Sequence, residues 1–350
     1  MTRRSLSVDA AIVGGGISGL WLANLLVGRG FSVVICEARG VGGLQTLASQ
    51  GIVHGGTKYA LGGTGTLAGA LTEMPDRWRA CLGGTGDIDL RGVSVLAETV
   101  AIHIGDDTVE VDDFVIDVPS LVGRLARPIA GRIVATTVLP DSLVGNGSNV
   151  ARIELDTCTI HARVYVLAAG TGNTPFAQQV GISPTAMRHR PLRQTIVRLR
   201  ESADVYAHWM SSPQGAEPTL TVTSHGSLLS IGGTVADAGA NRDQATQIVL
   251  VRDLLRRAFP DIDVDGARFD TFVAIRAEPA SDAIRNLPDA YVARHGNCLL
   301  CLPVKLSLAP RLGDLVLAEL GNLEPTMDSW SGDSNSRLAY ATSPYAWSPC

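Results

Sequence analysis

A chain of 350 residues, 45% hydrophobic and 18% charged with a formal net charge of −5, has enough apolar material for one large or two medium domains. No lysine-arginine block stands out, which argues against nucleic acid as a main partner, and no apolar run reaches the ~18 residues of a membrane-spanning helix. The basic start Met1-Thr2-Arg3-Arg4 leads into an apolar strand within a few residues, leaving no room for a signal peptide, so a cytoplasmic enzyme is expected.

The first recognisable stretch is 8–37. Ala10 to Val13 form a short apolar run suited to a parallel strand buried on both faces, and Leu20, Leu22, Ala23, Leu25, Leu26 and Val27 give a helix that packs back on it. Between them lies Gly14-x-Gly16-x-x-Gly19. Its first glycine permits a tight turn, its second admits a pyrophosphate to the backbone, and its third lets helix and strand approach. The helix N-terminus, with Ile17 and Ser18, offers N–H groups and a positive dipole end to phosphates. Gly28 and Gly30 end the helix, a second strand returns over 31–35, and Glu37 follows Gly19 by 18 residues, where an acid can accept both ribose hydroxyls. These features together predict a dinucleotide-binding unit, with Ala38 beside the acid.

The segment 40–71 mixes many glycines and small residues with His54, Lys58 and Tyr59, a composition suited to backbone lying close against a flat ligand. The glycine clusters at 62–65 and 83–86 follow no strand and are expected to be ordinary turns. Strands are predicted over 92–97, 108–111 and 132–138, with a helix over 119–126 between the last two. A hairpin pairs 150–155 with 159–162 and leads into a second buried strand over 164–167, which ends in Ala168-Ala169-Gly170 where it can come up beside the cofactor. Further strands are expected over 193–199, 219–223, 227–231 and 298–302, and helices over 242–259 and 310–320. From Asn322 the composition turns to Ser, Pro and Asn, reading as a loosely ordered, dispensable tail. Of the six cysteines only Cys298-x-x-Cys301 has a suggestive spacing, but on a strand these two face opposite ways; inert core thiols and no metal site are expected.

Three separated blocks then match one family. The glycine fingerprint, the segment 49–61 with its His54-Gly55-Gly56-x-Lys58-Tyr59 core, and the late pair Ala274-Ile275-Arg276 and Pro303-Val304-Lys305-Leu306-Ser307 resemble the D-amino-acid-oxidase-like flavoproteins. Val166-Leu167-Ala168-Ala169-Gly170 fits the same pattern. Within that superfamily the look is closest to the FAD-dependent glycerol-3-phosphate and 2-hydroxyglutarate dehydrogenases. The resemblance implies an α/β fold in which a Rossmann-like FAD-binding domain (1–84, 114–182, 288–322) is interleaved with a mixed-sheet α+β substrate domain (85–113, 183–287), followed by the tail 323–350. It implies FAD held by Gly14, Gly16, Ile17, Ser18, Gly19, Glu37 and Ala38 at the adenosine end. Ser49, Gln50, Gly51, His54, Gly55, Ala169, Gly170, Lys305, Leu306 and Ser307 would lie along the rest.

Arg276, Lys305, Lys58 and Tyr59 are the implied catalytic residues. Arg276 would pair with a substrate carboxylate, and the others would place or polarise its polar end. The reaction implied is removal of a hydride from a CH–OH or CH–NH carbon of a small anionic substrate, such as a 2-hydroxy acid or an amino acid, with oxygen, a quinone or a protein as electron acceptor. This chain departs from the branch at two points. Gln194-Thr195 stands where the branch has a candidate histidine base, with His189, His208 and His225 as possible substitutes. Lys58 replaces an arginine, exchanging a two-pronged anion grip for a point charge, which puts a phosphate substrate in doubt. The rival readings are a nicotinamide-dependent reductase, a flavin monooxygenase and a flavin-binding assembly subunit. Gly313-Asp314 falls inside a predicted helix rather than before it, which does not fit the monooxygenase.

Overall fold

The computed structural model describes residues 4–58, 69–146, 149–183, 186–212, 217–280, 289–326 and 339–343. The chain opens with β1 (Arg4–Val13), α1 (Ile17–Gly28) and β2 (Val33–Glu37), then β3 (Ile52–Val53), α2 (Met74–Gly83), β4 (Val95–Ala97), β5 (Val100–Ile104), β6 (Asp107–Val111) and β7 (Phe114–Ile116). Next come α3 (Val118–Ala126), β8 (Ile133–Ala135), β9 (Leu143–Asn146), β10 (Asn149–Glu154), β11 (Cys158–Leu167), a short helix Asn173–Gln179 and β12 (Met187–Arg198). The last part holds β13 (Tyr206–Met210), β14 (Leu220–His225), β15 (Leu228–Gly232), α4 (Gln244–Ala258), β16 (Arg268–Pro279), β17 (Tyr291–His295), β18 (Cys298–Leu302) and α5 (Ala309–Leu320).

One eight-stranded sheet runs β17-β18-β11-β1-β2-β8, parallel from β18 to β8, with β10 and β9 added antiparallel at the start of β11. Its centre is apolar on both faces because both are covered. Ala10, Ile12, Val33 and Ile35 meet α1, α3 and α5 on one side, and Ala11, Val13, Tyr165 and Leu167 meet Phe176 and Val180 on the other. At Gly313, α5 lies so close to α1 that an added Cβ would come within 2.7 Å of Leu25.

A second, seven-stranded sheet runs β16-β12-β15-β14-β13-β5-β6. Residues paired directly across antiparallel strands share a face, so the registers sort its side chains. Val197, Ala207, Leu220, Val222, Leu229 and Ile231 fall on one face and pack on Val251, Leu254 and Leu255 of α4. The other face carries Gln194, His208, Thr221, Thr223 and Ser230, all buried, with Arg190 and Arg276 paired at its β16 end. This buried polar face looks towards the segment that holds Gln50 and Lys58: Gln50 Nε2 donates to the carbonyls of Thr221 and Ser230, each at 2.9 Å. A small sheet β3-β7-β4 joins the two regions.

Several expectations need correction. The hairpin of 150–155 with 159–162 forms, but its second arm does not stop: β11 runs unbroken from Cys158 to Leu167, because β1 pairs with it along that whole length while β10 flanks only its start and β18 only its end. The strand predicted over 193–199 begins at Met187; Pro191 hid its first half, and is tolerated because β15 pairs only from Thr195 onward. Strands β3, β5, β7, β9, β13, β16 and β17 and helix α2 carried no expectation. The glycines at 83–86 do form a turn, with Gly84 left-handed at the end of α2, whereas 62–65 lies outside the described residues. The tail is not wholly loose: Thr326 donates through N and Oγ1 to the Asp9 carboxylate, and Tyr340 bridges Val41 with hydrogen bonds of 2.8 and 3.0 Å on either side. The five described cysteines are buried free thiols; burial pushes Cys298 up to about 11 and Cys36 to about 12.

Candidate active site

The glycine turn is built for close approach. Gly14 has φ 110°, and an added Cβ would meet the Ala168 carbonyl oxygen at 2.6 Å, so the ends of β1 and β11 touch through backbone alone. A Cβ at Gly19 would overlap the Gly14 carbonyl. Gly16 caps α1 without a side-chain hydrogen bond of its own, and no acid occupies the helix's first turn. The positive end of α1 therefore has room for an anion, and Thr46 Oγ1 takes only the Ile17 amide, at 2.9 Å. Glu37 is fixed beside the turn: Oε2 accepts Gly15 N at 2.6 Å, and Oε1 accepts Arg39 N at 2.8 Å and Gly40 N at 3.2 Å. Its remaining acceptor capacity sits where the fingerprint places a ribose. Ala38 is exposed next to it. Ala169 donates its amide to Asn173 Oδ1 at 2.8 Å while Asn173 Nδ2 donates to the Leu167 carbonyl, which clamps the end of β11 next to Gly14. Gly170 beyond it is left-handed, with φ 58°.

The second part of the site starts where β3 ends. Gly51 is left-handed, and a Cβ there would strike the Ile116 carbonyl, so the chain enters β3 pressed on β7. Ser49 Oγ accepts the Gly51 amide at 3.3 Å, and Asp113 Oδ1 accepts that of Gly55 at 2.8 Å. His54 is thereby buried, and Lys58 Nζ lies 3.4 Å from Nε2 of the fully buried His208, whose Nδ1 is 2.9 Å from Thr221 Oγ1. Burial first, and then the Lys58 charge, holds His208 well below the usual histidine range; burial, then Lys58, Lys305 and His208, does the same to His54. Both histidines are neutral. Tyr59 lies outside the described residues.

Lys305 comes from the turn after β18. Val304 has φ 64°, left-handed for a β-branched residue, and Lys305 N donates to the Pro303 carbonyl at 2.6 Å, a tight three-residue turn of a strained kind. Lys305 is half-buried. Burial, then Arg276, pushes its ammonium down to about 8, with Glu217 and Glu278 opposing. Ser307 Oγ, 99% buried, has no hydrogen-bond partner among the described residues, while its carbonyl accepts Trp78 Nε1 at 2.9 Å. Leu306 is half-buried beside it.

Arg276 faces Arg190 across β16 and β12. The two like charges are tolerated because Arg190 is neutralised: it donates to Glu278 at 2.9 Å and Asp237 at 3.0 Å, and Arg188 also bonds Glu278. Burial alone would raise the Glu278 carboxyl, but Arg190 and Arg188 hold it below its ordinary range. Glu278, two residues along β16 from Arg276, is thus engaged by Arg188 and Arg190, and Arg276 makes no ion pair with any described residue. Gln50 is spent on the second sheet's carbonyls. His189 lies at hydrogen-bond distance from Thr174 and His225 is half-buried on β14, whereas His208 is the histidine set against Lys58. Gln194 Oε1 and Thr223 Oγ1, buried on the same polar face, lack protein partners among the described residues. Such orphans, on the sheet face that meets Gln50 and Lys58, fit a bound polar cofactor and substrate.

Sequence reasoning passed over Thr46, Asp113 and Thr221, which act across 29, 58 and 13 residues, and Asn173, which clamps backbone four and six residues before it. It also passed over one signal that was available: among 29 basic residues the chain has just two lysines, Lys58 and Lys305.

A family model described as FAD dependent oxidoreductase (DAO) matches residues 9–108. The chain is 35% identical over 362 residues to the Pseudomonas aeruginosa protein named "Probable FAD-dependent oxidoreductase PA4991", a match covering 91% of this chain and 92% of that one. The chain belongs to the DAO family of FAD-dependent oxidoreductases. The crystal structure of PA4991 matches with a TM-score of 0.84 at 34% identity, over 98% of this chain and 99% of that one. Glycine oxidase from Geobacillus kaustophilus shares the fold, with a TM-score of 0.69 at 15% identity over 97% of this chain and 100% of that one. FAD is the cofactor of this family member, which removes the nicotinamide alternative. Likeness to a Pseudomonas aeruginosa glycerol-3-phosphate dehydrogenase reaches 43% identity but over 51 residues only, 15% of this chain and 10% of that one, too short a stretch to carry that enzyme's substrate across. No helix among the described residues is long and apolar enough to cross a membrane.

Proposed function

We propose that this enzyme oxidises a CH–OH or CH–NH carbon of a small anionic substrate, a 2-hydroxy acid or an amino acid. The observation that supports it most is Arg276, a guanidinium on the buried polar face, without an acidic partner among the described residues, and close enough to Lys305 to lower its ammonium. A carboxylate is the ligand that matches a guanidinium's paired donors. FAD supplies the two-electron oxidation, and the protein's part is to orient the substrate, shed water and manage charge. In that reading Arg276 grips the carboxylate and Lys58 and Lys305 surround the polar end, with Tyr59 assigned to the same role from the sequence pattern.

At the adenosine end, Gly14, Gly16, Ile17, Ser18 and Gly19 would hold the pyrophosphate and Glu37 and Ala38 the ribose side. Ser49, Gly51, His54, Gly55, Ala169, Gly170, Leu306 and Ser307 would line the remainder, with Gln50 acting through the second sheet. The two large sheets support an interleaved division at 1–84, 114–182 and 288–322 against 85–113 and 183–287. Glycine oxidase, by its name, acts on an amino acid, so small amino acids join 2-hydroxy acids in the test. The experiment is an anaerobic screen of both sets for bleaching of the bound flavin, with Arg276→Ala alongside. A substrate whose bleaching survives Arg276→Ala with unchanged KM contradicts the assignment.

A further inference from the structure

The chain uses 27 arginines and two lysines, and both lysines act on His54. Arginine stays protonated in any protein environment, whereas a buried lysine can give up its proton. A chain that meets every other need for a cation with arginine has kept lysine at two places only, and those two places share one site.

The two are not equivalent in geometry. Lys58 is engaged by a buried imidazole: with His208 Nδ1–H donating to Thr221 Oγ1, Nε2 presents a lone pair to the Lys58 ammonium. Lys305 is delivered by a left-handed Val304 at a tight turn, a conformation that persists only where the surroundings fix it. The charged and titratable groups around Lys305 are Arg276 and Glu278 from β16, Arg190 from β12, Glu217 from the loop before β14, and His54 from the segment after β3. The charges of Arg276 and Arg190 favour loss of the Lys305 proton and those of Glu217 and Glu278 oppose it, which leaves an amine that can exist with or without its proton. The place where a histidine base was sought holds Gln194, which cannot accept a proton at neutral pH.

We propose that Lys305 is the proton acceptor of the oxidation, and that Lys58, tied to His208, is the cation that stays in place beside it. The proposal rests on the substrate reading given above. FAD, when bound, would take up the C–H hydrogen with its electron pair as the carbon–heteroatom double bond forms. The hydroxyl proton, or one proton of the substrate ammonium, moves to the Lys305 amine lone pair, and the resulting ammonium later releases it to solvent. His208 is a positioning residue for Lys58 and takes no part in this transfer.

The test uses the full-length, flavin-loaded enzyme labelled with 13Cε-lysine, which gives two lysine side-chain signals assigned through Lys58→Arg and Lys305→Arg. The Lys305 signal is expected to titrate near pH 8. A Lys305 signal that stays that of an ammonium to pH 10 overturns the proposal. With any amino or 2-hydroxy acid that bleaches the flavin, the rate is expected to rise with pH through about 8 and level off. Lys305→Arg should cut that rate by about 10²–10⁴-fold and abolish the rise. Lys305→Ala should recover in proportion to added methylamine free base. An unchanged pH profile in Lys305→Arg overturns the proposal. A panel that leaves the wild-type flavin oxidised contradicts the substrate reading instead, and the titration still decides the amine.

Discussion

Asp113 Oδ1 accepts the Gly55 amide at 2.8 Å, and this one bond ties the turn between β6 and β7 to the segment that carries His54 and Lys58. Asp113 is 1% exposed, its Oδ2 has no partner among the described residues, and burial raises its pKa despite the Gly55 bond and the Lys58 charge. The folded chain thus holds this proton more tightly than the unfolded one. Stability from this group is full below the ordinary carboxyl value near 4 and falls as pH rises through the raised one. Asp113→Asn, which keeps the acceptor and removes the ionisation, should be more stable than the parent at neutral pH. Asp113→Ala should lose about 1–3 kcal/mol by orphaning the Gly55 amide. Urea unfolding at pH 5 and 8 checks both.

His54 and His208 produce the opposite trend. Their folded pKa values lie well below the ordinary 6.5, so their contribution is complete above that pH and is lost as pH falls through it. Each histidine adds a slope of up to about 1.4 kcal/mol per pH unit. His208→Gln should flatten the loss between pH 6.5 and 5 by one such contribution, seen in denaturation midpoints across that range.

Glu37→Ala should leave the fold intact and weaken FAD binding by about 10- to 100-fold, the worth of hydrogen bonds to a charged acceptor. Fluorescence quenching on titrating apoprotein with FAD gives the number. Unchanged affinity would place the ribose elsewhere.

What could be read from the sequence was local. Gly14 to Glu37 is contiguous, its periods switch from strand to helix to strand, and the structure follows it. The two lysines and Arg276 could be picked out as chemistry, but their convergence depends on β16 and β13, which sequence did not reveal. β16 mixes Arg268, Asp270, Arg276 and Glu278 with apolar residues, because it is an edge strand and the face on which Arg276 pairs with Arg190 is polar. β13 carries His208 inward on a face where apolar residues are expected. The bonds that set the site, Thr46 to Ile17 and Asp113 to Gly55, are side chains capping backbone 29 and 58 residues away, and no periodicity encodes them.

The tail is expected to matter for the cofactor. Gly40 has φ 131°, and a Cβ there would meet Ala341 N at 2.8 Å, so residues 339–341 lie on the loop that anchors Glu37 through Gly40 N. Gly40→Val, and truncation after Thr326, should each weaken FAD binding about 10-fold or more while far-ultraviolet circular dichroism stays native-like. Unaltered FAD affinity in both variants would return the tail to the status of a dispensable extension.

The most direct test of the whole account is the visible spectrum of the purified protein, followed by anaerobic addition of small amino acids and 2-hydroxy acids. The account predicts a yellow protein carrying FAD that is bleached by at least one such carboxylate, with bleaching strongly impaired in Arg276→Ala although the flavin remains bound. A protein that stays colourless in the presence of FAD, or a flavin bleached equally well without Arg276, would contradict it.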